Sequence, residues 1–344
     1  MKKVFFGIDL LKMIAIIAVP SVHFLLNTHY YSVKLNSPLL YIQTFYRQIF
    51  IVCVPLFIMA TGFLQWKKEW NKKYLRGVLN IFLIYVIYSV FAIIIRVYQF
   101  GEQATIAKWI SMIFSFKAVS YSWYVNMYIG LALIIPFLNV LWQGLKTKRQ
   151  FEIFLLVLFF VTGIPMFWNG VPALFGEGKL ITFPYFWMTV YPLFYYFMGV
   201  YIREYNINMG RLKSFSLFLI ITLLEVAILI GFNKGTKFIN FVGGYGSALI
   251  MLQTTFLFLF LYQINPPKNK LFSWIKVPIH SISTLTLDIY LVSYVTDRFV
   301  YRYFMNNIYE KQDTAILYAP AIVISTFTMA YVISLIRQKI ISIR

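Results

Sequence analysis

The chain has 344 residues, of which 60% are apolar and only 12% charged, and its mean hydropathy is +0.74. A soluble domain needs far more surface charge than that, so most of the chain must be solvated by lipid or by other apolar helices. Lys and Arg number 31 against 11 Asp and Glu; in a soluble protein this would point to nucleic acid, but here cation-rich cytoplasmic loops account for it and no nucleic-acid partner is expected. The expected fold class is therefore an all-α integral membrane bundle of about ten transmembrane helices, with both termini cytoplasmic. The single cysteine, Cys53, lies in an apolar run, which leaves no intrachain disulfide and no thiolate-bound metal.

In chain order, the first apolar run, Phe5 to Leu26, is too long for a signal-peptide core and lacks a small-x-small exit. It reads as a retained first helix. Hydrophobic runs of about 20 residues, the length a bilayer requires, place spans at 5–27, 44–66, 77–98, 122–143, 151–168, 183–202, 214–232, 245–264, 279–300 and 314–336. The fifth is short and ends in Pro165. The segment from Thr105 to Phe116 reads as an outer amphipathic or re-entrant helix. Alternate loops carry 19 Lys and Arg on one side, from Lys2 and Lys3 through Lys67–Arg76, Lys146–Arg149, Arg203–Lys213 and Lys268–Lys276 to Arg337–Arg344, against 11 on the other. The richer side is cytoplasmic. An odd number of spans would scramble that pattern. No Walker sequence, and no GxGxxG after a strand, supports ATP-driven transport; Gly243-Gly244-Tyr245-Gly246 reads as a loop or packing feature.

Ionisable groups at bilayer depth are costly and usually face the bundle interior. The first span carries Asp9, Lys12 and His23. Asp9 and Lys12 share a helix face and suit a charge-neutral anchor near the inner surface. His23 lies about 16 Å deeper than Lys12 and, close to three turns on, projects from nearly the same face. Further candidates are Arg96, Glu225 in mid-span, and Asp288 within the polar run Ser281, Ser283, Thr284, Thr286, which reads as the wall of a water-accessible cavity or as hydroxyls bonded back to their own helix. His280 reads as an interfacial residue and His29 as a loop residue. The first cytoplasmic loop, Lys67 to Arg76, holds five cations and one anion. Topology and a phosphate-rich cytosolic ligand explain that density equally well.

Taken together, these pieces resemble the acyltransferase-3 family of bacterial membrane acyltransferases. Gly7-Ile8-Asp9-Leu10-Leu11-Lys12, followed by ten residues and His23, is similar to the family's Arg-x10-His first-helix motif, with Lys for Arg. Val54-Pro55-Leu56-Phe57-Ile58-Met59-Ala60-Thr61-Gly62-Phe63 resembles its second-helix VPLFFxxSGY/F element. Lys73-x-x-Arg76 resembles the RxxR at the start of the third helix. Ser122-Trp123-Tyr124, with Pro136 later in the same span, is similar to its WYL…PxL helix. Ile289-Tyr290-Leu291-Val292-Ser293 resembles the late IYLxH element, with Ser293 in the place of His. The five elements follow in order over residues 1–300. Lys for Arg keeps the charge but loses the bidentate fork.

The resemblance implies one acyltransferase-3-like transmembrane domain over 1–344, with no appended soluble domain. It implies a multi-pass enzyme of the cytoplasmic membrane that moves an acyl group, usually acetyl, from cytosolic acetyl-CoA to a hydroxyl of a surface polysaccharide or lipid-linked glycan. No metal is expected. His23 then serves as general base or as a transiently acetylated intermediate, and Lys12, Lys73 and Arg76 hold coenzyme A. Asp288 or Glu225 orients the imidazole. The rival reading is a transporter or flippase for a lipid-linked oligosaccharide or small molecule; no repeated halves support it.

Overall fold

The computed structural model describes residues 5–170, 184–266 and 270–341. Lys2, Lys3, Lys268 and Arg344, used above to orient the chain, and the start of the sixth expected span lie outside these residues. The α-helices are α1 Phe6–Asn27, α2 Pro38–Phe50, α3 Cys53–Gln65, α4 Lys72–Phe100, α5 Ile106–Phe114, α6 Trp123–Gln143, α7 Lys148–Leu158 and α8 Ile164–Trp168. They continue with α9 Tyr185–Thr189, α10 Tyr191–Tyr205, α11 Arg211–Asn233, α12 Ala248–Tyr262, α13 Lys276–Thr284, α14 Thr286–Asn307 and α15 Ala319–Ile340. Every expected span contains helix. Among the described residues, seven helical segments are long and apolar enough to cross a membrane; α10, α12 and α14 are not among them.

Several departures from unbroken spans have local causes. The second span starts earlier than expected, where Ser37 caps α2 and Pro38 opens it. It breaks at Ile51-Val52 because Pro55, in the first turn of α3, has no N–H with which to continue the helix. In the fifth span, residues 159–163 widen into a π turn just before Pro165, so the helix runs on to Trp168 despite the proline. The ninth span is two helices, α13 and α14, interrupted at Leu285.

The chain divides into two compact units. The first comprises residues 1–66, 142–283 and 310–319. Here α3 and α10 cross closely enough that a Cβ on Gly62 would sit 2.0 Å from the Tyr196 carbonyl oxygen, and one on Gly199 would sit 2.1 Å from that of Met59. Glycine on both helices is what permits the approach. Gly7 brings α1 against the backbone of Tyr262 at the end of α12 in the same way. Gln43 of α2 bonds the carbonyl oxygens of Gln312 and Asp313, 3.1 Å from each. The second unit comprises residues 67–141, 284–309 and 320–344. Within it α4 packs along α14, Tyr74 at the start of α4 donates to the Ala132 carbonyl of α6 at 2.6 Å, and α5 hangs from α4 through the Tyr85 hydroxyl and the Ile113 carbonyl, 2.7 Å apart.

Candidate active site

In the first unit a cavity of about 670 Å³ opens at the N-terminal end of α1, bordered by Phe5, Asp9, Tyr262, Lys276, His280 and Ser281. Asp9 stands in the first turn of α1, where the helix dipole favours an acid. Its carboxylate accepts from the Ser283 hydroxyl at 2.6 Å and lies 2.8 Å from His280 Nδ1. Lys12, one turn on, donates to the carbonyl oxygen of Ser283. That oxygen belongs to the last turn of α13, where carbonyls lack helical partners and a cation is favoured. The contact uses one of the three ammonium donors. The Asp9–Lys12 anchor expected from the sequence is thus a four-residue cluster tying α1 to α13, and His280 belongs to it.

His23 lies further along α1 and is half-buried. Pro20, three residues earlier, withholds the N–H that would have bonded the Ile16 carbonyl, yet the helix continues unbroken past it to Asn27. Glu225 is fully buried on α11. One of its oxygens accepts from Gln48 Nε2 at 2.9 Å, and the other end of that amide accepts from the Arg47 guanidinium. Arg47 is itself buried, with its guanidinium 4.9 Å from the Phe238 ring centroid and its Nε 3.2 Å from the Tyr31 hydroxyl. Gln253 completes the network by donating to the Gln48 carbonyl and the Thr222 hydroxyl, 2.8 Å to each. A buried acid of α11 is therefore linked to a buried Arg of α2 through one glutamine. Arg47 and Gln48 were missed as candidates. The signal was present in the sequence, since both fall inside the expected second span, where an Arg is as costly as an acid.

In the second unit Asp288 is buried on α14, ion-paired with Arg337 of α15 and 3.1 Å from the donating Tyr88 hydroxyl of α4. The polar run is split by the break at Leu285: in the first unit Ser281 borders the cavity and Ser283 binds Asp9, and in the second Asp288 binds Arg337. Ser293 bonds back to the Tyr290 carbonyl at 2.8 Å. Lys73 and Arg76 are exposed in the opening turns of α4, after the capping side chain of Asn71, and three residues apart they share a face. Cations are disfavoured by the dipole at a helix N-terminus, so helix stability does not explain them. Among the described residues no group of three or more His, Cys, Asp or Glu is arranged to hold a metal ion.

The sequence matches the acyltransferase-3 family, described as an acyltransferase domain, over residues 5–335. The chain belongs to the acyltransferase-3 family. The match runs through both compact units, and membership makes the chain a multi-pass helical membrane protein with an acyltransferase domain. No curated protein and no solved structure matches the chain. Lys12 and His23 lie on one uninterrupted helix, Val54-Pro55-Leu56-Phe57 lies in the opening turns of α3 just after the break in the second span, and the Lys73–Arg76 pair opens the third span.

Proposed function

We propose that this acyltransferase moves an acetyl group from acetyl-CoA on the cytoplasmic side to a hydroxyl of an extracytoplasmic polysaccharide or lipid-linked glycan. We place it in the cytoplasmic membrane with ten spans and both termini inside. The observation that carries this reading is the family match over residues 5–335, which favours an enzyme over a transporter or flippase. His23 takes the proton of the acceptor hydroxyl as its oxygen attacks the thioester carbonyl. Coenzyme A leaves as the thiol after accepting a proton, and the acyl group ends as an ester on the acceptor. Lys12, Lys73 and Arg76 are assigned to the donor, whose phosphates suit charge-assisted hydrogen bonds. Glu225, in the same compact unit as His23, is the carboxylate assigned to orient the imidazole. Asp288, neutralised by Arg337, is assigned to hold α14 to α15.

Titration calorimetry of acetyl-CoA into detergent-solubilised protein tests the donor assignment. Charged hydrogen bonds contribute ~1.5–3 kcal/mol each, so the double variant Lys73→Ala/Arg76→Ala should bind at least roughly tenfold more weakly. Lys73→Arg should bind as well as the parent. Equal affinity in parent and double variant removes these residues from the donor site. Absence of binding to either returns the choice to the transporter.

A further inference from the structure

A second basic cluster lies in the second unit, at the end of α4 away from Lys73 and Arg76. Gly101, in the left-handed conformation (φ 66°), ends α4 and turns the chain so that Glu102 faces back onto it. Glu102 is clasped by two guanidiniums, with Arg96 Nε and Nη2 at 2.8 and 2.7 Å from one oxygen and Arg298 Nη1 at 2.7 Å from the other. Partial burial pushes the Glu102 carboxyl up, but the hydrogen bonds and charges of Arg96 and Arg298 outweigh it and hold the carboxyl below the usual range. The clasp is therefore charged at neutral pH and is lost only as acid protonates Glu102.

Arg96 is used up structurally. Its remaining Nη1 donates to the Ala118 carbonyl at 3.1 Å, and its plane stacks on Trp109 of α5 at 5.1 Å. Arg298 is not: Glu102 takes one edge, while its face lies 4.0 Å from the Phe100 ring. Arg302, one turn further along α14 and exposed, lies over the same ring at 5.7 Å. Two arginines four apart on a helix repel each other. The one carboxylate neutralises only one of the three guanidinium charges, so the cluster keeps a surplus of two positive charges (three Arg less one Glu) with forked donors still available.

Its surroundings fix its depth. Helix α5 buries none of its side chains and exposes Ile106, Ile110 and Phe114 at successive turns of one face, the pattern of a helix lying in the bilayer surface. Below the cluster, α4 exposes Val90, Ile94 and Val97 in line, an apolar strip leading into the bilayer. Aromatic rings, an arginine fork and an apolar strip at the membrane surface suit a phosphate carried on a lipid chain.

We propose that Arg298 and Arg302, held over Phe100 and braced by Glu102 and Arg96, bind the phosphate of a lipid-linked glycan, the acceptor. This rests on the acyl-transfer reading for the word acceptor, but the site itself is measured by binding. The probe is farnesyl phosphate added to the full chain in phosphatidylcholine nanodiscs, with farnesol as the uncharged control. Farnesyl phosphate should bind and farnesol should be weaker by about tenfold or more. Arg302→Ala should weaken farnesyl phosphate similarly, Arg302→Glu should abolish its binding, and Arg302→Lys should recover part of it, because a lysine keeps the charge without the fork. Arg302 is exposed and makes no contact with Glu102, so these variants should melt with the parent. Equal binding of farnesol and farnesyl phosphate, or unchanged binding to a folded Arg302→Glu protein, overturns the site. Full displacement by phosphatidylglycerol at bilayer fractions assigns the cluster to ordinary lipid and overturns the acceptor. An inactive enzyme that still binds farnesyl phosphate through Arg302 overturns the acyl-transfer reading alone.

Discussion

Of the three histidines, His29 and His280 are exposed and only His23 is set within the body of a spanning helix. His23→Ala should therefore abolish acyl transfer while leaving insertion and folding intact. A positioned base typically contributes roughly 10²–10⁴-fold, well beyond the scatter of an assay following acetyl-CoA consumption against an acceptor glycan. Transfer near the parent's rate by well-folded His23→Ala protein would remove the imidazole from the mechanism. Asp288 has a different expectation. Breaking a buried ion pair from one side costs ~3–5 kcal/mol, whereas replacing both members with apolar residues is often neutral. Asp288→Ala should therefore lower the melting temperature sharply, and Asp288→Leu/Arg337→Leu should restore much of it. If the restored protein turns over acetyl-CoA, Asp288 is structural. If it folds but stays inactive, the carboxylate belongs to the chemistry after all.

At the scale of elements, α3 and α10 supply the sharpest test, because each presents a glycine to the other's backbone. Gly62→Ala or Gly199→Ala would place a methyl about 2 Å from a carbonyl oxygen that belongs to a helix and cannot swing aside. Overpacking of this kind costs ~1–3 kcal/mol when the surroundings yield, and more when backbone must move. Gly130→Ala in α6 is the control: nothing lies within 4 Å of its Cβ position, and alanine is better by ~1 kcal/mol in a helix interior. Thermal unfolding in detergent should show the first two destabilised and the third unchanged or improved. Identical melting of all three would mean that α3 and α10 do not cross this closely. These elements also mark what the sequence could reveal. Helix positions were legible because a run of about 20 apolar residues has few other uses. The break at Ile51-Val52 was readable in principle from Pro55, but Leu285 carries no such signature. Partnerships were not legible. Asp9 and His280 are 271 positions apart, and hydropathy records that a group is in an apolar setting without saying which group neutralises it. That is why Arg47, equally anomalous in its span, went unmatched to Glu225.

For the molecule as a whole, the question is whether all ten helical segments cross the bilayer. Helices α10 and α12 have 15 residues each, about 22 Å at 1.5 Å per residue, against a hydrocarbon core of about 30 Å. Each is extensively buried in its unit, and neighbouring protein rather than lipid can shield the remainder of the path. α14 is long enough but polar, and its acids have partners in the Arg337 ion pair of Asp288 and in the Tyr121 hydroxyl, 2.9 Å from Asp297. All three thus have a physical route across that neither helix length nor apolarity alone reveals. The charge asymmetry supports the same proposal, since ten crossings would put 19 Lys and Arg on one side against 11 on the other. Impermeant thiol labelling in intact cells, on a Cys53→Ala background, reads each crossing separately. Single cysteines at Lys34, Trp168, Thr236 and Lys311 should label from outside. Gly170 is avoided because a side chain there would meet the Phe241 carbonyl at 2.1 Å. Cysteines at Lys68, Lys148, Glu204 and Val277 should react only after permeabilisation. Protection at 204 with reaction at 236 tests α11 alone; reaction at 236, protection at 277 and reaction at 311 require α12 and α14 both to cross. Labelling of position 277 from outside would mean that α12 turns back within the membrane, and would overturn the proposed cytoplasmic placement of the cavity beside Asp9 and His280.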